Sequence, residues 1–261
     1  MTFERRSLGQ KGHVLIDPAL EDHGFLVAFT ERIGGAGEGS YASLNLSYVV
    51  GDDPQAVGTN RRTVAGALGV DAFATTEQVH GAKLVRVGAK RAAAGYDDPS
   101  DRIPKADAMS TTSPRVALAV LTADCVPLVA ASPPSGLLAV AHVGWRGLAA
   151  GIVATVARQF AEPKEVRVAL GPAIGPDHYE VGEDVALAVA SGTEGGAVTE
   201  RREGRVFLDL ARTVRSELRA LGVRRVEDTG LCTMCEERRF FSYRRDEVTG
   251  RQAGIAVKVA R

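Results

Sequence analysis

The chain carries no excess charge of either sign: Lys plus Arg and Asp plus Glu each number 32 in 261 residues, a formal net charge of zero. Nucleic-acid binders show a basic footprint and membrane-surface proteins a basic face, and this composition supplies neither. The largest basic clusters, Arg201-Arg202 and Arg224-Arg225, read as solvated faces. Cysteine is scarce, with three in the chain; an odd count argues against a disulfide framework and for a reducing compartment. No apolar run approaches the roughly 18–20 residues of a membrane span. The opening MTFERRSLGQ lacks the apolar centre of a secretory signal. The expectation is a cytoplasmic protein with neither nucleic-acid nor membrane partners. Internal repeats and low-complexity linkers are missing, and the absence of a GxxxxGK[ST] string excludes a P-loop.

What is present is ordinary for a folded chain: 45% apolar and 25% charged residues. The length permits one large domain or two small ones and a substantial core. Asp53-Pro54 opens a helix to about Leu68, with Val57, Arg61, Val64 and Leu68 on one face. GLAAGIVATVARQF reads as a second helix, and Asp209 to Leu221 as a third with Leu210, Val214, Leu218 and Leu221 in a stripe. RVALAVLT, VPLVAAS, LLAVAHV and VRVALG are short, β-branched and apolar throughout, as strands covered on both faces are. Closing strands are expected near 226–231 and 254–260, and surface loops at 34–40 and 91–104. Strands interleaved with helices predict an α/β or α+β single domain over residues 1–261.

Three soft ligands stand out: His80 in EQVHG, Cys125 in TADCVP and His142 in AHVGWRG, each at or beside the end of an apolar, strand-like run. Two imidazoles and a thiolate suit zinc, and three protein ligands leave a position open for substrate or water, as catalytic sites do. The spacing is not a compact ligand motif, so two core histidines and an inert buried thiol remain the alternative. Cys232 and Cys235 form a CxxC with His13, His23 and His178 the remaining histidines. The CxxC reads as two reduced thiols near the site, since Glu236 and Glu237 oppose a stabilised thiolate.

These strings, with GPAIGP, CTMCEERRFFSYRRDEVTGR, ASLNLS and VGDDPQAVGTNRR, run in order from about Thr30 to Ala256. Together they resemble the multicopper polyphenol oxidase or "laccase-domain" family, whose members are regarded as zinc-dependent purine nucleoside phosphorylases with adenosine deaminase activity. The resemblance implies mixed β-sheets packed in the core with helices outside, akin to the catalytic domain of cytotoxic necrotizing factor. It implies purine nucleoside and phosphate as substrates, and a metal on His80, Cys125 and His142.

Zinc held there brings the pKa of a water toward about 7. The zinc nucleobase deaminases pair such a site with an HxE…PCxxC signature, which is absent here. A proton shuttle must therefore come from elsewhere, and Asp124 and Glu77 are the nearest candidates. Phosphate and the charge of a breaking glycosidic bond call for cations. Arg61, Arg146 and Arg244 lie in family-matching strings, with Arg146 placed ahead of a helix. Asn45 can read a purine edge or ribose, or cap a turn. Trp145 and the cluster Phe240-Phe241-Ser242-Tyr243 can stack on a base or fill a core. Two other classes compete: a Cys-His hydrolase with Cys125 as nucleophile, and a non-enzymatic module with a closed metal site. Five histidines cannot hold several coppers, although one adventitious copper in the zinc site would give weak phenol oxidation.

Overall fold

The computed structural model describes residues 3–9 and 11–259. The fold is mixed α/β, built on two six-stranded sheets. The first runs Glu4–Leu8, Gly12–Ile16, Phe25–Thr30, Gln252–Lys258, Ala117–Thr122, Phe73–Ala74. The second runs Arg225–Asp228, Arg167–Leu170, Val126–Ser132, Leu137–Val143, Ala108–Thr111, Leu84–Arg86. A three-stranded sheet, Glu180–Val181, Arg205–Leu208 and Thr199–Arg202, stands beside them. Most neighbours are antiparallel; the exceptions are the parallel pairs of Phe73–Ala74 with Ala117–Thr122, Leu84–Arg86 with Ala108–Thr111, and Arg167–Leu170 with Arg225–Asp228.

The unbroken apolar runs follow from burial on both faces. Successive strand residues point to opposite sides, so Leu118 and Val120 meet Val129, Ala131, Leu138 and Val140 between the sheets. Ala117 and Ala119 face outward, where Leu44, Leu46 and Val64 cover them. From the second sheet, Leu128 and Ala130 pack outward against Leu148, Ile152, Val156, Val214 and Leu218. Helices therefore lie outside two sheets that share an inner core.

The helix signals act as their chemistry requires. Asp53 accepts from the Gln55 N–H and Pro54 opens a helix to Ala67, with Val57, Arg61 and Val64 on its buried face. Asp209 accepts from the Arg212 N–H and caps Leu210–Ala220, burying Leu210, Val214 and Leu218. The expected helix after HVGWR is instead two short ones, Trp145–Ala149 and Ile152–Ala157. Gly151 between them takes φ +80, a left-handed turn that interrupts the i to i−4 ladder and re-aims the chain. Among the described residues no helix is long and apolar enough to cross a membrane.

Candidate active site

Cys125 lies in the turn that carries the chain from Ala117–Thr122 in the first sheet to Val126–Ser132 in the second. His142 comes beside this turn from the neighbouring strand, where it stands opposite Pro127. His80 arrives on a loop with φ 58, and Asp124 beside Cys125 has φ 94. Both are left-handed conformations that non-glycine residues rarely adopt, and such backbone is held in place by its surroundings at functional sites. The ligand atoms of His80, Cys125 and His142 all lie within 4.8 Å of one another. The two imidazoles meet edge to face with ring centroids 4.7 Å apart.

Asp107, fully buried, organises this cluster. Its Oδ1 accepts from His142 Nδ1 at 2.9 Å and from the His80 N–H at 2.9 Å, while Oδ2 accepts from the N–H groups of Val79 and Gly81 at 3.1 and 2.8 Å. The first of these bonds leaves His142 Nε2 to face Cys125, and a carboxylate behind a ligating imidazole is the usual means of fixing its tautomer. The same bonds overcome burial and hold the Asp107 carboxyl below its ordinary range. Gly144 completes the fit, since a Cβ there would stand 2.8 Å from Cys125 Sγ and 3.1 Å from His80 Cδ2.

The electrostatics favour a charged pair. Burial opposes ionisation of Cys125, but the adjoining His142 and hydrogen bonds from both imidazoles bring its thiol down to about 6. Burial likewise opposes a charge on His142, but Cys125 and Asp107 raise it to about 9. A thiolate facing two imidazoles is also the donor set that zinc takes, and the three donors converge from one side. The residues fit a metal of that kind.

The cluster opens on a cavity of about 570 Å³, the size of a small-molecule site. Its wall carries Arg61, Arg102, Arg146, Arg244 and Arg251, and Asp124 is the one carboxylate among the described lining residues. Four of the arginines stack on lining aromatic rings: Arg61 on Tyr48, Arg146 on Trp145, Arg244 on Tyr179 and Arg251 on Tyr243, at 4.6, 4.5, 4.9 and 5.9 Å. Each pair places a guanidinium and a π-face on the same wall, so the cavity offers anion and base-stacking contacts together.

The structure brings Asp124, Cys125, His80, His142, Arg61, Arg146 and Arg244 to this cavity. Asp124 Oδ1 accepts from Thr233 Oγ1 at 2.6 Å and Oδ2 from the Arg244 N–H at 2.7 Å. Arg61 is 2% exposed; it donates to the carbonyls of Leu46, Gly95 and Tyr96, and burial lowers its pKa to about 10. Arg146 is exposed on a helix of five residues, too short to supply an anion site of its own. Asn45 and Glu77 do not line the cavity. Asn45 Oδ1 accepts from the N–H groups of Ser47 and Arg251, and its Nδ2 donates to Ser47 O and Asp52 Oδ2. It thus ties the cavity's Ser47–Val50 rim to Arg251. Glu77 Oε2 accepts from the Lys105 N–H. Phe240 and Phe241 are core, whereas Trp145 and Tyr243 face the cavity.

Sequence reasoning passed over Asp107, Arg102, Arg251 and Tyr179. Asp107 had no apolar run to mark it, since the strand it precedes, Ala108–Thr111, reads AMST and is half hydroxyl residues. Arg251 closes the string CTMCEERRFFSYRRDEVTGR that also holds Arg244, whereas Arg102 and Tyr179 had no signal, because loops distant in the chain deliver them.

Known proteins are similar to this chain along nearly its whole length. A purine nucleoside phosphorylase of Streptomyces coelicolor is 42% identical over 232 residues, which is 87% of this chain and 92% of that one. One from Deinococcus radiodurans is 42% identical over 235 residues, 87% of each. The crystal structure of YlmD from Geobacillus stearothermophilus superposes with a TM-score of 0.92 at 34% identity, covering 99% of both chains. The family described as multi-copper polyphenol oxidoreductase laccase matches residues 26–258. With that match spanning the whole second sheet and every residue of the cluster, the chain belongs to this family.

Proposed function

We propose that the chain, as one unit over residues 1–261, is a zinc-dependent purine nucleoside phosphorylase acting on adenosine, inosine, guanosine or methylthioadenosine, with adenosine deaminase activity. The observation that carries this reading is the His80–Cys125–His142 cluster opening onto a cavity lined by arginines stacked on aromatic rings. The relatives named purine nucleoside phosphorylase support it. His80, Cys125 and His142 would hold the metal, with Asp107 orienting His142. Bound there, zinc supplies Lewis acidity and the means to ionise a water near neutral pH.

The chain's own groups divide the remaining work. Arg146, Arg244 and Arg251 hold phosphate and steady the charge that develops as the glycosidic bond breaks. Trp145, Tyr179 or Tyr243 receives the purine face. Arg61, fixed by three carbonyls, and Asn45, fixed on all its polar atoms, position the walls. Asp124, held by Thr233 and the Arg244 backbone, is our choice for moving a proton at the purine.

The test is zinc per chain, together with incubation of adenosine with and without phosphate. One zinc per chain bound at this cluster and phosphate-dependent adenine, or inosine, are expected, and His80→Ala and Cys125→Ala should lose that one zinc together with turnover. Full turnover by metal-free protein overturns the reading. One observation favours a second: the Cys125 thiolate, His142 imidazolium and Asp107 also form a nucleophile–base–orienter series. Under that hydrolase reading, alkylation of Cys125 in metal-free protein abolishes turnover and added zinc inhibits it.

A further inference from the structure

The CxxC of the C-terminal segment stands behind the active-site cavity, and the fold delivers a third soft ligand to it. His178, far away in sequence, brings its ligand atom within 4.8 Å of those of Cys232 and Cys235. His178 Nε2 lies 3.1 Å from Cys235 Sγ, and the Gly175 N–H donates to Cys232 Sγ at 3.2 Å. We propose that His178, Cys232 and Cys235 form a second zinc site, which clips the 171–178 segment to the 232–235 turn.

Three features argue for a built site. The backbone places the sulfurs: Cys232 bridges Ala173 in parallel, the Thr233 N–H donates to Ala173 O, and the Glu236 N–H closes a turn onto Cys232 O, so both thiols face one side. Glycine permits the approach, because a Cβ on Gly175 would meet Cys232 Sγ at 3.2 Å and its Cβ at 3.3 Å. The N–H to sulfur bond at Gly175 is the kind that supports a metal-bound thiolate from outside the ligand set. Zinc bonds of about 2.0–2.3 Å require donors roughly 3.3–3.8 Å apart, so small side-chain rotations close the cluster. His178, Cys232 and Cys235 line a cavity of about 310 Å³ together with Asp177, which leaves room for a fourth ligand.

A thioredoxin-like redox pair is the competing use of a CxxC, and it needs the first cysteine at a helix N-terminus. Here the first helix after Cys235 is Tyr243–Asp246, and all three cysteines are free thiols. The clip has a place in the molecule: Thr233 donates to Asp124, and Arg244 Nη1 donates to the carbonyls of His178 and Glu180. The two segments that the zinc would join are those that hold Asp124 and Arg244 at the first cavity.

Metal counting on untagged protein purified with reductant tests the proposal independently of turnover. Wild type should hold about two zinc ions per chain, and Cys125→Ala, Cys232→Ser/Cys235→Ser and His178→Gln about one each. Cobalt in Cys125→Ala should still give the intense visible bands of a tetrahedral thiolate site. A wild-type count of one that disappears in Cys125→Ala but persists in the double variant overturns this proposal and leaves the first site standing. Should the double variant not fold, alkylation of wild type decides: Cys232 and Cys235 should react at least about tenfold more slowly with zinc than after chelation. Equal rates, or a Cys232–Cys235 disulfide that forms with no second metal retained, overturn it.

Discussion

Replacing Asp107 with Asn tests whether one buried carboxylate sets both the geometry and the affinity of the ligand cluster. Each Asp107 oxygen accepts two donors, His142 Nδ1 and the His80 N–H on Oδ1, the Val79 and Gly81 N–H groups on Oδ2. An amide offers one oxygen, so whichever way it is turned, two donors meet an NH2 group. At about 1–3 kcal/mol for each buried donor left unmet, Asp107→Asn should lose about 2–6 kcal/mol of stability. Loss of the carboxylate behind His142 should also weaken zinc binding by about 10–100-fold. Urea unfolding of the chelated protein isolates the first effect from metal linkage. Competition with a chromophoric chelator under conditions where circular dichroism shows the variant folded measures the second. An Asp107→Asn protein with the wild-type urea midpoint and wild-type zinc affinity would refute the reasoning.

Gly144→Ala needs no backbone change, since φ −97 and ψ 175 are open to any residue, yet its Cβ would crowd Cys125 Sγ and His80 Cδ2. Zinc affinity should fall at least about tenfold with little loss of stability; unchanged affinity counts against the packing described. Glu31, 1% exposed, binds Arg5 and Arg239, and despite burial these hold its carboxyl below the ordinary 4.5. Its contribution is therefore complete above about pH 4.5 and lost as pH falls through the lower folded value, so Glu31→Gln should cost about 1–3 kcal/mol near neutrality. The gap between the two proteins should close in acid, and a urea-midpoint difference that stays constant down to about pH 3 would contradict this. Gly151→Ala, at φ +80, should cost about 1–2 kcal/mol by thermal or urea denaturation; a neutral result would mean that the two short helices can merge.

The local signals in the sequence were sufficient wherever the physics is local. Asp53-Pro54 and Asp209 begin helices because a side-chain oxygen meets an orphan N–H within three residues. The four apolar runs are strands because alternate residues face two different cores. The single helix expected after HVGWR breaks at Gly151, because a glycine in an apolar helical pattern continues it or breaks it depending on what the next residues must pack against. Here Ile152, Val153 and Val156 turn onto the second sheet.

Residue chemistry alone marked His80, Cys125 and His142 as soft ligands, though His80 stands on a loop and not at a strand end, and the resemblance of their strings supplied a family that the comparisons bear out. Only the tertiary structure decided what surrounds them. Asp107 reaches His142 because Ala108–Thr111 pairs with Leu137–Val143, a register that no local signal encodes. Asn45 and Arg61 sit in family-matching strings, and only the fold shows that Asn45 binds Ser47, Asp52 and Arg251 away from the cavity while Arg61 lines it with Nε and Nη1 on three carbonyls. His178 joins Cys232 and Cys235 across a long stretch of chain because a β-bridge sets Ala173 beside Cys232. Spacing in sequence records the chemistry that each segment can offer; which of those offers meet is set by strand pairing and sheet packing, and these depend on the whole core at once.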